Sequence, residues 1–315
     1  MVSDMLIPKI LVIGQATLDV SVKFSEFPRF NSQQIGGDYQ IHLGGTAINI
    51  AHCLHYMTAS VTPCVRIGDD AAGAYIRKAL ESANIDLSLI RVDKNKQTSL
   101  SIINRDESGD VAILHYEGAN NALCLADIPI NEIKKYDMVH IGGAMLLPSL
   151  DGQPLLELAT EVKRSGVFFS LTVARNTAQN EHVSQVLPFL DLIIMNEKES
   201  LEISKTEDVF NALKWFYGKG VSTTVITLGE KGAYVLQKGN TYLFPAFMVT
   251  PIDTLGCGDA FSAGYLYAFV RKMPTSECAK YGNMMGAYCA TNIGAIVPAF
   301  DIENIIYKYS KNDEV

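Results

Sequence analysis

No excess of positive charge runs through this chain of 315 residues: 26 Lys and Arg stand against 34 Asp and Glu, a formal net charge of −8 at pH 7. A broad basic field of the kind that recruits nucleic acid or an anionic membrane is therefore missing, and neither is expected as a partner. A single nucleotide stays admissible, because it needs only local helix ends and a metal. The six cysteines (Cys53, Cys64, Cys124, Cys257, Cys278 and Cys289) include no C-x-x-C pair. In a chain far longer than disulfide-stapled secreted modules they read as reduced thiols. No apolar run approaches the length of a membrane span, and no basic segment leads into an apolar one at the N-terminus. A cytoplasmic enzyme is the expectation. Two nucleotide signatures are missing as well. Gly14-Gln-Ala-Thr-Leu-Asp19 lacks the second glycine of a dinucleotide turn, and no G-x-x-x-x-G-K-S/T occurs, which sets aside a Rossmann dehydrogenase and a P-loop NTPase.

What is present is a globular composition, 48% hydrophobic and 19% charged, with enough chain to bury a substantial core. Lys9–Gly14 is a continuous apolar run ending at glycine, the pattern of a strand inside a parallel sheet. Residues 19–43 break the strand–helix rhythm; with runs at 98–105 and 110–116, joined at Asp106-Glu-Ser-Gly, they predict a small accessory sheet. A helix is predicted from Gly44 and Gly45 to about Met57, a strand over Ser60–Gly68, and a helix capped by Asp69 or Asp70 to about Asn84. Regular alternation follows, with strands at 137–143, 166–171, 190–195 and 222–228 and helices at 155–165 and 209–217. A hairpin over 233–244 turns at Lys238-Gly-Asn, and a helix at about 275–291 precedes the turn Gly294-Ala295 and a polar tail. Such alternation predicts an α/β domain spanning the chain, a mostly parallel sheet with helices on both faces.

The chemistry concentrates in Asp253-Thr-Leu-Gly-Cys-Gly-Asp-Ala-Phe-Ser-Ala-Gly264. Gly256 and Gly258 bracket Cys257 ahead of Phe261, Tyr265, Leu266 and Phe269 at helical spacing, so a turn feeds a helix start with Asp259 in its first turn. Helix-start amides have no partner inside the helix, the macrodipole is positive there, and glycines remove the Cβ atoms that would hold a phosphate away. A carboxylate beside such a turn repels phosphate, unless it takes the proton from a hydroxyl attacking that phosphate. Asp259 is thus the candidate general base; the plainer alternative is a residue that favours the helix dipole.

This run resembles the C-terminal signature of the PfkB, or ribokinase-like, sugar kinase family, D-T-x-G-A-G-D-x-F, with Cys257 where the family usually has Ala. Gly44-Gly-Thr-Ala-Ile-Asn-Ile-Ala51 is similar to the family's N-terminal signature, G-G-x-x-x-N-x-A. The resemblance runs from Lys9 to about Pro298. It implies a three-layer α/β/α sandwich with a small β-sheet lid from about 19–43 and 98–116, and ATP-dependent phosphorylation of a hydroxymethyl group of a monosaccharide. Asp19, Gly44, Gly45 and Asn49 would grip the acceptor, while Gly256, Cys257 and Gly258 form the anion hole beside the base Asp259. Asn196 and Glu199, in the family's N-x-x-E, would serve Mg²⁺, Glu199 through water. Thr227, Gly229 and Gly232, in T-x-G-x-x-G, and Asn283 would border the nucleotide. Asp253, Cys289, Asn292 and Gly294 would hold a monovalent cation such as K⁺. Gly118-Ala-Asn is similar to an element that returns the chain from lid to core.

Two departures bear on the acceptor. Ser170-Leu-Thr-Val-Ala-Arg-Asn lacks the Asp of a D-x-N-x-R run while keeping Arg175, and Ile141-Gly-Gly-Ala lacks the Glu that ribokinases proper often carry. Exposed lid strands invite pairing between copies, so a homodimer is expected. A nucleoside kinase of the same family is the second reading, and would need an aromatic platform among Phe24, Phe27, Phe30, Tyr39 and Tyr116. A catalytically idle sugar-binding member is the third; the intact Asp259 argues against it.

Overall fold

The computed structural model describes residues 7–23, 31, 33, 35, 37–105, 111–174 and 180–310. Its central strand is β1 (Lys9–Gly14), whose apolar run is buried on both faces: Ile10 and Val12 join one hydrophobic core, Leu11 and Ile13 the other. That is why the run is continuous rather than alternating. After β1 the chain leaves the main sheet for β2 (Thr17–Lys23) and β3 (Tyr39–Gly44), then returns through α1 (Thr46–Tyr56), β4 (Ser60–Gly68), α2 (Ala71–Ser82) and β5 (Ile90–Asp93). A second excursion gives β6 (Ser99–Arg105) and β7 (Val111–Tyr116). The core resumes with β8 (Met138–Ala144), α3 (Gln153–Ser165), β9 (Phe168–Val173), α4 (Asn180–Val186), β10 (Leu192–Asn196), α5 (Glu197–Ser204), α6 (Val209–Gly218) and β11 (Thr223–Thr227). The hairpin of β12 (Ala233–Gln237) and β13 (Asn240–Phe244) follows, then α7 (Cys257–Val270), α8 (Thr275–Ala290) and α9 (Ile302–Ser310).

The large sheet has the order β13-β12-β11-β10-β9-β8-β1-β4-β5, parallel from β5 to β11 and antiparallel only at the terminal hairpin. Lys238 and Gly239 turn that hairpin with positive φ, as a tight primed turn requires. Strand order reverses about β1, whose neighbours are β4 and β8, and ligands of parallel α/β sheets bind at the carboxyl ends of strands beside such a reversal. The two excursions meet there as a second sheet, β3-β2-β6-β7, with β2 and β6 parallel although far apart in sequence. The expected small accessory sheet is therefore present. The turn expected at 106–109, much of the 24–36 segment and Arg175 lie outside the described residues.

Two elements differ from expectation. β5 is a four-residue strand with no sequence alternation to announce it, held by pairing with β4 and by Arg66, which donates to Asp93. The expected polar tail is instead the helix α9 up to Ser310. Ile302, Ile305 and Tyr309 recur at helical spacing on one face and are buried against the core that contains α7 and α8.

Candidate active site

α7 begins at a backbone corner that only glycine fits. Gly256 has φ +78°, and a Cβ there would stand 2.4 Å from the Ala295 carbonyl oxygen. Gly258 differs, since a Cβ on it would meet nothing within 4 Å. Its absence of side chain leaves open, exposed space in front of the helix start, the room an anion needs. The Cys257 amide donates to Thr254 O at 3.3 Å, so the expected anion hole shifts from the whole turn toward the amides of Gly258 and the residue after it. The Cys257 sulfur faces the other way: it donates to Asp253 O (3.8 Å) and is half-buried at the joint of α7 and α8. Interaction with the neighbouring Cys289 thiol holds its thiol below the ordinary range, against the effects of burial and of the Asp253 and Asp259 charges.

Asp259 lies in the first turn of α7 and accepts a hydrogen bond from Asn49 Nδ2 at 2.7 Å, a contact across 210 residues of chain. Desolvation raises its pKa to about 7; the bond from Asn49 opposes the shift, and the charges of Asp19 and Glu199 add to it. A carboxylate poised near neutrality beside an anion-binding helix start is suited to general base work. Asn49 Oδ1 is buried with no hydrogen-bond partner, so the same amide that steadies Asp259 has an acceptor left for a ligand hydroxyl.

The acceptor side is built where β3 turns into α1. Gly45 has φ +89°, and a Cβ on it would stand 2.6 Å from Gln15 O. A Cβ on Gly44 would occupy the place of the Asp19 carboxylate, at 2.0 Å from Oδ2. Both glycines let the lid strand β2 lie directly on the turn. Asp19 is buried there, and desolvation lifts its pKa to about 6 against a hydrogen bond from Ser101. Asp19 stands in register with His42 on one side and Ser101 on the other, and Ser101 with His115, so the four form one row across the lid. Ser101 Oγ lies 3.1 Å from His115 Nδ1, within hydrogen-bond distance. A cleft of about 590 Å³ opens beside the row, lined among others by Ser21, Lys23, Gln40, Asp253 and Thr254. Ser101, His42 and His115 were not singled out from sequence. Alternation within β2 could have placed Ser21 and Lys23 beside Asp19, but the β2–β6 pairing has no local signal.

Asn196 and Glu199 form a reciprocal cap at the start of α5: Glu199 Oε2 accepts from Asn196 N (2.8 Å) and Asn196 Oδ1 from Glu199 N (2.9 Å). The N-x-x-E spacing thus has a structural use of its own. It also aims a half-buried carboxylate close enough to raise the pKa of Asp259, while burial pushes Glu199 itself upward. Thr227 Oγ1 donates to Met195 O, tying β11 to β10. Gly229 (φ +61°) faces open space, whereas a Cβ on Gly232 would stand 2.0 Å from Phe244 O, which makes that glycine a packing requirement. Asn283 is buried and donates to Phe244 O and Pro245 O, so its amide N–H groups secure the exit from β13. Asp253 accepts from Leu255 N and Gly294 N, 2.8 Å each; Cys289 Sγ donates to Leu255 O and Asn292 Nδ2 to Tyr288 O. The four residues expected around a monovalent cation therefore do converge, but these side-chain groups are turned to backbone partners. Among the described residues, no group of three or more His, Cys, Asp or Glu is arranged to hold a metal.

A parallel sheet with an anion-ready helix start at its carboxyl edge, a carboxylate poised to take a proton and an overhanging polar lid define a small-molecule phosphotransferase. The comparisons with known proteins agree. The model of the pfkB family carbohydrate kinases matches residues 7–301, and the chain belongs to that family. It is 26% identical to the ATP-dependent ribose-1-phosphate kinase of Halopiger xanaduensis, over 91% of this chain and 93% of that protein. It is 30% identical to the cytidine kinase of Thermococcus kodakarensis, over 76% and 84%. The fold is similar to that of Arabidopsis thaliana ribokinase complexed with ribose and ATP, with a TM-score of 0.84, 22% identity, and 96% of this chain and 98% of that one covered.

Proposed function

We propose that this enzyme transfers the terminal phosphoryl group of ATP to a hydroxymethyl group of a monosaccharide. The observation that carries the reading is the bond from Asn49 to Asp259, which joins the acceptor turn to the anion-binding helix start at one carboxylate. Asp19 and the free Asn49 Oδ1 orient the sugar by its hydroxyls, and Asp259 accepts the proton of the attacking one. The Gly258 end of α7 faces the charge of the transferred group, and the open space in front of it fits a phosphate. Bound ATP would supply the phosphoryl group, and Mg²⁺ would neutralise its charge. Glu199 would reach such a metal through water, and a monovalent cation such as K⁺ near Asp253 would be held by backbone carbonyls. The lid row excludes water, which would otherwise compete as acceptor. The same reading places the enzyme in the cytoplasm; among the described residues, no helix is long and apolar enough to cross a membrane.

A nucleoside acceptor is the alternative that the cytidine kinase relative raises. Tyr39 and Tyr116 face away from Asp19, because they pair with Val22 and Leu100 on the opposite side of the lid, so neither provides a platform for a base. Phe24, Phe27 and Phe30 lie outside the described residues. The test is a screen with Mg-ATP against sugars, sugar phosphates, sugar acids and nucleosides, repeated in excess EDTA. Turnover of a monosaccharide, lost in EDTA, is expected. Turnover confined to nucleosides overturns the acceptor, and full activity in EDTA overturns the metal.

A further inference from the structure

Both sulfurs of Cys257 and Cys289 press on one short segment, the approach to α7. Cys257 Sγ donates to Asp253 O at 3.8 Å and Cys289 Sγ to Leu255 O at 3.5 Å, two carbonyls of one turn, and the neighbouring Cys289 thiol lowers the pKa of Cys257. The helices are close at this point. A Cβ on Gly286, a turn before Cys289 along α8, would stand 3.6 Å from Cys257 O, ordinary van der Waals distance. Cys257 is partly exposed at the open end of α7, while Cys289 has no accessible surface. A small oxidant can approach the first residue from solvent, and the second is buried against the same turn. Cys64 and Cys124 also gather at one residue, Asp127, far along the chain from the helix start.

We propose that Cys257 and Cys289 are a reversible oxidation site, closed to a disulfide by a hydroperoxide, and that the closed form binds nucleotide poorly. The second half rests on the reading of α7 as the phosphate-binding element. In the first step Cys257 Sγ attacks the O–O bond of hydrogen peroxide; an S–O bond forms, the O–O bond breaks, and one water leaves. Cys289 Sγ then attacks the oxidised sulfur; the S–S bond forms, the S–O bond breaks, and a second water leaves. Two thiols lose two electrons and two protons, and the peroxide takes up both. Two sulfurs in a disulfide stand at about 2.05 Å, far closer than two unbonded thiols. Both thiol donors to Asp253 O and Leu255 O are lost in the same event, so the turn that sets the Gly258 amides must shift toward α8.

The experiment uses the full chain treated with hydrogen peroxide, blocked with iodoacetamide and mapped by non-reducing mass spectrometry. The expected product is a Cys257–Cys289 linked peptide pair, absent from Cys289→Ser, in which dimedone traps Cys257 as the sulfenic acid. A fluorescent ATP analogue should bind at least about tenfold more weakly to the oxidised protein and recover after dithiothreitol. No linkage of these two residues, or a Cys64–Cys124 linkage alone, overturns the site. Linkage with unchanged analogue binding overturns the control of nucleotide binding. Failure of the reduced protein to bind the analogue counts instead against the phosphotransferase reading, and leaves the mapping result to decide the site.

Discussion

If Asp259 is the base, its raised proton affinity should govern rate and stability together. Asp259→Asn keeps the shape and the bond from Asn49 but cannot accept a proton, so turnover should fall by about two to four orders of magnitude with ATP and acceptor binding retained; activity within a few-fold of wild type would refute the base. The stability effect has the opposite sign. The folded carboxyl titrates at about 7, above its ordinary value, so the folded state holds this proton more tightly than the unfolded chain. Its stabilising effect is complete below the ordinary carboxylate range and is lost as pH rises through about 7. The Asn variant should therefore melt higher than wild type at pH 8.5, by a margin on the order of a few kcal/mol that shrinks toward pH 5.5. Asn49→Ala removes a bond that lowers the Asp259 pKa. The acid limb of its kcat/KM profile should move to higher pH, with a greater loss of rate at pH 6.5 than at pH 8.5; an unmoved limb would make Asn49 a pure acceptor ligand. The helix start that carries Asp259 was legible because its glycines and helix spacing are local. The partnership of Asp259 with Asn49 was not, since nothing local signals a contact across 210 residues.

Among the elements, α7 shows how narrow the tolerance of the helix start is. Gly256→Ala places a methyl group against Ala295 O at positive φ, and should cost roughly 1–3 kcal/mol of stability and weaken nucleotide binding. Gly258→Ala meets no protein atom, so its melting temperature should stay close to wild type while nucleotide affinity falls. Chemical denaturation of the two variants beside nucleotide titration separates packing from ligand space; equal destabilisation of both would remove that distinction. Helices and buried strands of this kind were readable because burial on two faces writes itself as an apolar run, and a helix start as glycine followed by spaced apolar residues. β5 was not, being four residues long and stabilised by partners rather than by pattern. α9 was overlooked because its polar face dominates the composition of the tail, although Ile302, Ile305 and Tyr309 keep helical spacing.

At the scale of the whole molecule, the lid has a second face. Val20, Ile41, Ile102 and Leu114 are in register across β3, β2, β6 and β7 on the side opposite Asp19, and Ile41, Ile102 and Leu114 are exposed together with Tyr39 and Tyr116. A contiguous exposed apolar patch is the kind that a second copy covers, so we propose a homodimer packed through the lids. Light scattering should give twice the chain mass for wild type and the chain mass for Ile102→Asp combined with Leu114→Asp; a monomeric wild type would refute it. The two acidic groups that meet at Asn49 and Gly44 have a wider consequence. With Asp259 near 7 and Asp19 near 6, the unliganded site at neutral pH is a partly loaded proton store. A divalent cation entering the site would compete with those protons for the same oxygens and field. If magnesium serves the reaction, acidity and magnesium demand should be one exchange: the cation concentration needed for half-maximal rate is expected to climb as the medium acidifies, before the fold itself is touched.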